Sequence, residues 1–313
     1  MIGIAYNEFD YLHNIDSHVE NSLRTESIIS EIISYKKEIE DRINFFIVKD
    51  LNYQNETWSL VYKVHTQEYV DFVKQKVNKI KKFEFLDPDT YITPHTLKII
   101  LSNLEILFSL CDWIVSTGNY GFAYIRPPGH HAESKKAMGF CIINNVAVLA
   151  RYLQTYHNIK KVMIVDFDAH HGNGTQEIFY SDDTVLYFST HAYPFYPFTG
   201  SNSEKGSGKG IGYTYNFPVS IYAGDKELLE IYQKDFVEIY DRFEPEFLII
   251  SSGYDIHSHD PITYMNCSLD GINKIKSIIL QKAKYKNLVF VLEGGYNINV
   301  LKEVVKYDIN RIQ

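Results

Sequence analysis

Short, nearly uninterrupted apolar runs recur along this chain of 313 residues, and most of them close on an ionisable residue or a glycine. MIGIAY at the start, residues 121–125, KVMIVDFD (161–168), TVLYFST (184–190), EFLIISSG (246–253) and NLVFVLEGG (287–295) read as strands. A strand with one wet face alternates apolar and polar residues, whereas one covered on both faces stays apolar throughout. Between the runs lie stretches of helical period: Val70, Val73, Val77 and Ile80, then Leu97, Ile100, Leu101, Leu104, Leu107, Phe108 and Cys111. Further helices are expected over 141–156, 225–242 and 268–285. This alternation predicts an α/β fold, a mostly parallel, doubly wound sheet with helices on both faces. No Pro/Ser-rich linker, repeat or low-complexity tract divides the chain, so residues 1–313 are read as one domain.

Composition narrows the function. With 45% hydrophobic and 22% charged residues the chain buries a large core, which excludes a disordered or collagen-like protein. The net charge of −8 disfavours direct nucleic-acid binding, and the cluster Lys74, Lys76, Lys79, Lys81 and Lys82 reads as a solvated helix face. Three cysteines without a CxxC pair argue against a disulfide framework or a thiolate zinc site. No apolar run is expected to supply the roughly 20 residues of a membrane helix, and MIGIAYNEFDYLHN lacks the features of a leader. A cytoplasmic protein without a membrane association, monomeric or homo-oligomeric, is expected.

Where the apolar runs end, polar residues gather. His130 and His131 follow the run ending at Ile125; Asp166, Asp168 and His170 close KVMIVDFD; Asp255 follows EFLIISSG; Tyr296 follows NLVFVLEGG. In an open parallel sheet the crevice beyond the carboxyl ends of the strands is the ligand site.

Asp168 and His170 stand two residues apart, a spacing that in an extended strand presents both to one face. With Asp255 they make two carboxylates and one imidazole, a three-ligand set that leaves a metal ion open to water or substrate. A bare Asp-x-His is more often a helix cap followed by a packed histidine. The run Asp166-Phe-Asp-Ala-His-His-Gly-Asn173 outweighs that, because it sets two carboxylates and two histidines directly after a buried strand, where unpaired charge is costly.

In Arg126-Pro-Pro-Gly-His-His-Ala132 the prolines hold an irregular loop, so the histidines are fixed and suited to proton transfer. Asp166 and Asn173 are candidate partners for them. In Glu293-Gly-Gly-Tyr-Asn297 the glycines allow close approach, and the Tyr296 hydroxyl could donate to a developing oxyanion. One tyrosine among 25 is ordinarily packing; its place after two glycines at a strand end singles it out.

These motifs together resemble the histone deacetylase and acetylpolyamine amidohydrolase superfamily, of arginase-like fold, from about His18 to Tyr296. The resemblance rests on RPPGHHA, MGFCIINNVAV, VDFDAHHGNGTQEIF, SSGYDIHSHDP and EGGYN. Asn173 in place of Asp points to the class II and bacterial branch. The resemblance implies removal of acetyl groups from acetylated lysine side chains or acetylpolyamines. It implies Zn²⁺ on Asp168, His170 and Asp255, with Fe²⁺ also acceptable to such donors. His131 matches the general base and acid, beside Asn173; His130 matches an electrostatic histidine held by Asp166; Tyr296 matches the tyrosine that polarises the acetyl carbonyl. Gly139, Phe140 and Tyr196 match tunnel positions, and Ile262 one at the rim. Structural K⁺ is implied at Asp166, Asp168, His170, Ser189 and Thr190, and a second ion at Phe179, Asp182, Val185 and Tyr213. Arg24 matches an arginine beneath the active site.

The chain departs from the pattern in places. HVENSLR replaces the usual HPExPxR, and Ile-Thr-Tyr follows Asp260-Pro261 where Leu-Gly-Gly is usual. Ile262 offers no acidic gatekeeper for a polyamine. The loop DPDTYITP (87–94) is expected to flank the entrance, where Asp89 or Asp87 could grip a substrate backbone. Three other readings compete. A two-metal ureohydrolase would want a carboxylate two residues beyond His170, where Gly172 stands, and an Asp where His257 stands. A nucleotide-binding module is suggested by Gly206, Gly208, Gly210 and Gly212, but a strand-like YTYNFPV follows instead of a helix. A non-catalytic acetyl-lysine-binding module would not need the full set of catalytic residue types.

Overall fold

Every apolar run named above forms a strand, and all of them join one sheet. The computed structural model describes residues 1–39, 41–51 and 53–310. Along the chain come β1 (Ile2–Tyr6), α1 (Leu23–Ile39), β2 (Ile43–Ile47), α2 (Asn55–Val61) and α3 (Gln67–Lys79). The small antiparallel pair β3 (Glu84–Phe85) and β4 (Tyr91–Ile92) precedes α4 (Thr96–Thr117) and β5 (Tyr120–Tyr124). Then follow α5 (Asn145–Tyr156), β6 (Val162–Asp166), α6 (Asn173–Phe179), β7 (Val185–Ala192) and β8 (Thr214–Val219). Last come α7 (Asp225–Ile231), α8 (Val237–Phe243), β9 (Phe247–Ser252), α9 (Leu269–Lys282), β10 (Leu288–Leu292) and α10 (Ile298–Asn310).

The main sheet has eight strands in the order β2-β1-β5-β10-β9-β6-β7-β8, with every pairing parallel. Alternate residues of one strand feed two different cores. On one side Met163, Val165, Leu248, Ile250 and Phe290 pack with Ile275 and Ile279 of α9 and Val304 of α10. On the other, Val162, Ile164, Ile249, Val289 and Val291 pack with Leu104 and Leu107 of α4 and Leu149 of α5. This explains the unbroken apolar runs: both faces of the strand are inside. Each buried Val, Leu or Ile contributes roughly 1.5–3 kcal/mol, so the central strands are the most strongly held part of the chain.

Several boundaries differ from expectation for local reasons. The helix expected from residue 141 starts at Asn145, because the Asn144 side chain accepts the Ala147 N–H at 3.0 Å and caps it. The stretch 225–242 is helical but contains a π-helical turn, Tyr232–Phe236, between α7 and α8. The helix over 268–285 ends at Lys282, since Lys284 and Tyr285 take positive φ. The 22-residue α4 is long and apolar enough to cross a membrane by length and composition, which corrects the expectation that no such run exists. Two-thirds of its most apolar window (67%) is buried inside the protein, so its apolarity serves the core.

The strands that end in the polar residues singled out above, β5, β10, β9 and β6, are four consecutive members of the sheet. Their carboxyl ends therefore deliver His130/His131, Tyr296, Asp255 and Asp168/His170 to one edge.

Candidate active site

Asp168, His170 and Asp255 are buried, and their ligand atoms lie within 4.8 Å of one another. The reason is not strand pleating as expected, because β6 already ends at Asp166. Instead Asp168 Oδ1 accepts the His170 N–H at 2.9 Å and folds the segment back. His170 Nδ1 then lies 3.1 Å from Asp168 Oδ1 and 2.8 Å from Asp255 Oδ2. Further backbone donors fix the carboxylates: Gly294 N–H reaches Asp168 Oδ2 at 2.8 Å, and Ala169 N–H reaches Asp255 Oδ1 at 2.9 Å. Asp168 therefore caps no helix. Glycine is required at 294, where a Cβ would stand 2.5 Å from Asp168 Oδ2 and 2.7 Å from Asp255 Oδ2.

The donor set fits a divalent cation. Burial would raise Asp168, but His130 and then His170 hold it well below the usual carboxylate range. Burial and then Asp168 push Asp255 up to about 7. Two buried carboxylates at this separation resist sharing full charge unless a cation lies between them. One further buried trio of possible donors occurs among the described residues, His130, Cys141 and Glu293. Glu293 there is engaged by the Gly129 and His130 N–H groups at 2.7 and 3.1 Å, and Cys141 by the Gly139 carbonyl at 3.3 Å.

The rings of the two loop histidines lie 4.0 Å apart but have opposite partners. His130 Nδ1 donates to Asp166 Oδ2 at 3.1 Å, and its Nε2 is 3.8 Å from Asp168 Oδ2. Burial opposes its charging, yet Asp168 and then Asp166 raise it to about 10. His131 Nδ1 donates to Asn173 Oδ1 at 2.8 Å. Burial first, then the neighbouring His130 and His170, hold His131 well below its ordinary value. His130 is thus cationic and His131 neutral at neutral pH.

Tyr296 sits on a loop fastened from beneath. Its N–H donates to Asp260 Oδ2 at 2.8 Å. Arg24, fully buried, donates through Nε to the Gly295 carbonyl at 2.7 Å and through Nη2 to that of Glu293. Its guanidinium lies 4.8 Å from the centre of the Tyr296 ring. Glu20 holds Arg24 at 3.2 Å and Arg126 at 2.7 Å. HVENSLR therefore keeps Arg24 beneath the site despite lacking the usual prolines. Burial raises the Tyr296 hydroxyl well above its ordinary value against the pull of Arg24, so it remains a proton donor.

A cavity of about 200 Å³ leads to these groups. Asp89, Gly139, Phe140, Tyr196 and Ile262 line it, together with His130, His131, His170 and Tyr296. Larger hollows lie elsewhere, two of about 340 Å³ over Tyr69–Phe72 and over Phe108–Tyr152 and others of about 320 and 270 Å³; none holds a converging ligand set, so size does not locate the chemistry here. Asp87 Oδ1 accepts the N–H groups of Asp89 and Thr90 at 3.1 and 2.6 Å and Asp87 lines a different hollow, while Asp89 lines the cavity.

Sequence reasoning missed Phe195, whose ring stacks on His170 at 5.3 Å and lines the cavity, and Pro128 beside it. It also gave no role to Asp260 or Glu293. The signal for these two was present, in the Asp-Pro pair and in the first residue of Glu-Gly-Gly-Tyr. Phe195 carries no signal apart from its nearness to Tyr196.

Of the positions expected for potassium, Asp166 pairs in register with Ser189 across β6 and β7, and Thr190 follows. Phe179, Asp182, Val185 and Tyr213 gather near the opposite end of β7. There the Asp182 carboxylate is engaged by Arg151 at 2.7 Å.

A parallel α/β sheet bearing a candidate three-donor cation set, a neutral histidine and a tyrosine hydroxyl at one edge offers the groups that hydrolysis of an amide requires. Residues 18–312 match the histone deacetylase domain. Chloroplastic histone deacetylase 14 of Arabidopsis thaliana is 33% identical over 307 residues, covering 94% of this chain and 72% of that protein. A probable deacetylase of Archaeoglobus fulgidus is 36% identical over 266 residues, covering 81% of this chain and 73% of that one. The crystal structure of the HDA15 HD domain superposes with a TM-score of 0.89 at 31% identity, over 99% of this chain and 89% of that one. The chain belongs to the histone deacetylase family, and it is a deacetylase.

Proposed function

We propose that the chain hydrolyses the acyl-amide bond of acetylated lysine side chains in proteins, using one Zn²⁺ held by Asp168, His170 and Asp255. The observation that carries this reading is the convergence of that set with His131 and Tyr296 at the inner end of a narrow cavity. The ion, when bound, supplies Lewis acidity that activates water and polarises the acetyl carbonyl. His131 is suited to take the proton from the attacking water at Nε2, since Nδ1–H is committed to Asn173. The same imidazolium then protonates the departing amine, releasing acetate. His130, kept cationic by Asp166 and Asp168, offsets negative charge as it develops. Tyr296 donates its hydroxyl to the oxyanion.

Phe140, Tyr196 and Phe195 give the cavity apolar walls suited to a methylene chain, between the polar groups of its inner end and Asp89. Acetylpolyamines are the second substrate class; Asp89 beside the mouth favours them, while Ile262 supplies no carboxylate. The same donors accept Fe²⁺. K⁺ at the ends of β7 is a structural role consistent with the residues placed there. Three buried, unpaired cysteines support a reducing compartment, hence a cytoplasmic location.

Tyr296→Phe tests the reading. Loss of one oxyanion donor lowers kcat by about 10²–10³-fold. Metal content stays at the wild-type level and KM changes far less than kcat, because the lost interaction belongs to the transition state. Near-normal kcat on the best substrate would remove Tyr296 from the reaction.

A further inference from the structure

A run of aromatic rings continues from the metal-ligand set out to the surface. Phe195, stacked on His170, lines the cavity. The ring of Tyr264 lies 6.3 Å from that of Phe195, and the ring of Tyr222 lies 6.2 Å from Tyr264. Tyr264 and Tyr222 are 61% and 64% exposed, so neither serves the core. Their backbone is nevertheless pinned. Ile262 N–H donates to Asp260 Oδ1 at 3.0 Å, and the Thr263 hydroxyl donates to the Asp255 carbonyl. Asn266 N–H reaches the Ala223 carbonyl at 2.8 Å, while its Nδ2 reaches that of Tyr222 at 3.1 Å. Met265 is buried directly beside Tyr264. A rigid segment thus holds two tyrosines in water, next to the cavity and two residues beyond the rim residue Ile262.

Building on the deacetylase reading above, we infer that Tyr264 and Tyr222 form a specificity shelf that selects acyl-lysine peptides with an aromatic side chain next to the lysine. The cavity takes the acylated side chain, so whatever meets the shelf is attached beyond the lysine. A peptide places a neighbouring side chain there; a linear polyamine places only methylenes and ammonium groups. Asp89 suits a peptide too, because its carboxylate lines the cavity, with the Thr90 hydroxyl on Oδ1 at 3.3 Å, and can accept a peptide N–H. A backbone already pinned loses little further freedom when a ring stacks on its side chains, which is where binding of this kind gains.

The test compares acetate release from three probes: an acetyl-lysine peptide flanked by glycines, the same peptide with phenylalanine on either side of the lysine, and acetylputrescine. Wild type and the Tyr264→Ser and Tyr222→Ser variants are each loaded with Zn²⁺. A stacked ring pair corresponds to roughly a 2- to 12-fold preference in kcat/KM. The wild type prefers a phenylalanine peptide by that factor, and Tyr264→Ser brings the ratio close to one while the glycine peptide keeps its rate. Equal rates on both peptide types in the wild type would overturn the shelf. So would a preference that survives in both variants, or acetylputrescine turned over faster than every peptide. Turnover of the glycine peptide marks the deacetylase reading as sound even where the shelf fails. A wild type that releases acetate from none of the three removes both.

Discussion

His131 Nδ1 donates to Asn173 Oδ1 at 2.8 Å, and the Asn173 amide is locked in that orientation because its Nδ2 donates to Glu133 Oε1, also at 2.8 Å. His131 therefore rests on a neutral acceptor, while its neighbour His130 rests on the Asp166 carboxylate. Burial and the neighbouring His130 hold His131 neutral, and no carboxylate behind its Nδ1 opposes them, whereas Asp168 and Asp166 keep His130 charged. In the proposed reaction, one removes a proton while the other supplies a fixed positive field.

Replacing that neutral acceptor changes the pH profile in a defined direction. In Asn173→Asp a carboxylate behind Nδ1 favours imidazolium, raising the His131 pKa. Only the neutral ring accepts a proton, so the acid limb of kcat/KM against pH moves upward, by about 1–2 pH units. Activity near the old limb falls, and the alkaline plateau changes less. Adding Glu133→Gln removes the like-charge contact that the introduced carboxylate would otherwise meet. A pH–rate profile with an unmoved acid limb in both variants would separate Asn173 from the base.

Asp260 is expected to act through Tyr296 and not on substrate. One carboxylate holds the Tyr296 N–H at 2.8 Å and the Ile262 N–H at 3.0 Å, joining the catalytic loop to the cavity rim. An asparagine keeps one acceptor and loses the other. Asp260→Asn lowers kcat by about tenfold and Asp260→Ala by up to about 10²-fold, the scale of an ångström-level displacement of a reacting group. Bound zinc, read by metal analysis, stays at the wild-type level in Asp260→Asn. A proportional loss of zinc and rate would make Asp260 a support of the metal set instead.

Far from the reaction, Lys276 of α9 forms a fully buried ion pair with Asp308 of α10, which also accepts the Tyr124 hydroxyl at 2.9 Å. Phe122, Tyr254 and Phe290 surround the ammonium at 5.1, 5.4 and 5.6 Å. Lys276→Met strands a buried carboxylate and costs about 3–5 kcal/mol in denaturant unfolding. Lys276→Met combined with Asp308→Leu recovers most of that loss, since no charge remains inside. A double variant less stable than the single would show that the pair itself, and not the stranded charge, carries the effect.

The sheet and the site were legible in the sequence to different depths. Both faces of β6, β9 and β10 are buried, so their apolar runs carried an unambiguous signal. The helix α1 and strand β2 escaped notice, and the pattern HVENSLR hid how the start of α1 is used. Arg24, at the second position of α1, is buried against the Gly295 carbonyl, a contact spanning 271 residues that no local pattern can announce. Asp168 and His170 do come together, but not for the reason their spacing suggested: a side-chain turn, not a strand, joins them. Phe195 and Tyr264 became visible only when the chain folded, because ring-on-ring contacts leave no spacing rule in the sequence.

Stepwise return of Zn²⁺ to metal-stripped protein, with acetate release from an acetyl-lysine peptide followed at each addition, tests the central claim most directly. The donor set of Asp168, His170 and Asp255 accounts for one ion, and Gly172 supplies no carboxylate for a second. Activity is predicted to rise linearly from near zero and to break at one equivalent per chain, with Asp255→Ala flat throughout. A break at two equivalents, or full activity in the stripped protein, would contradict the account.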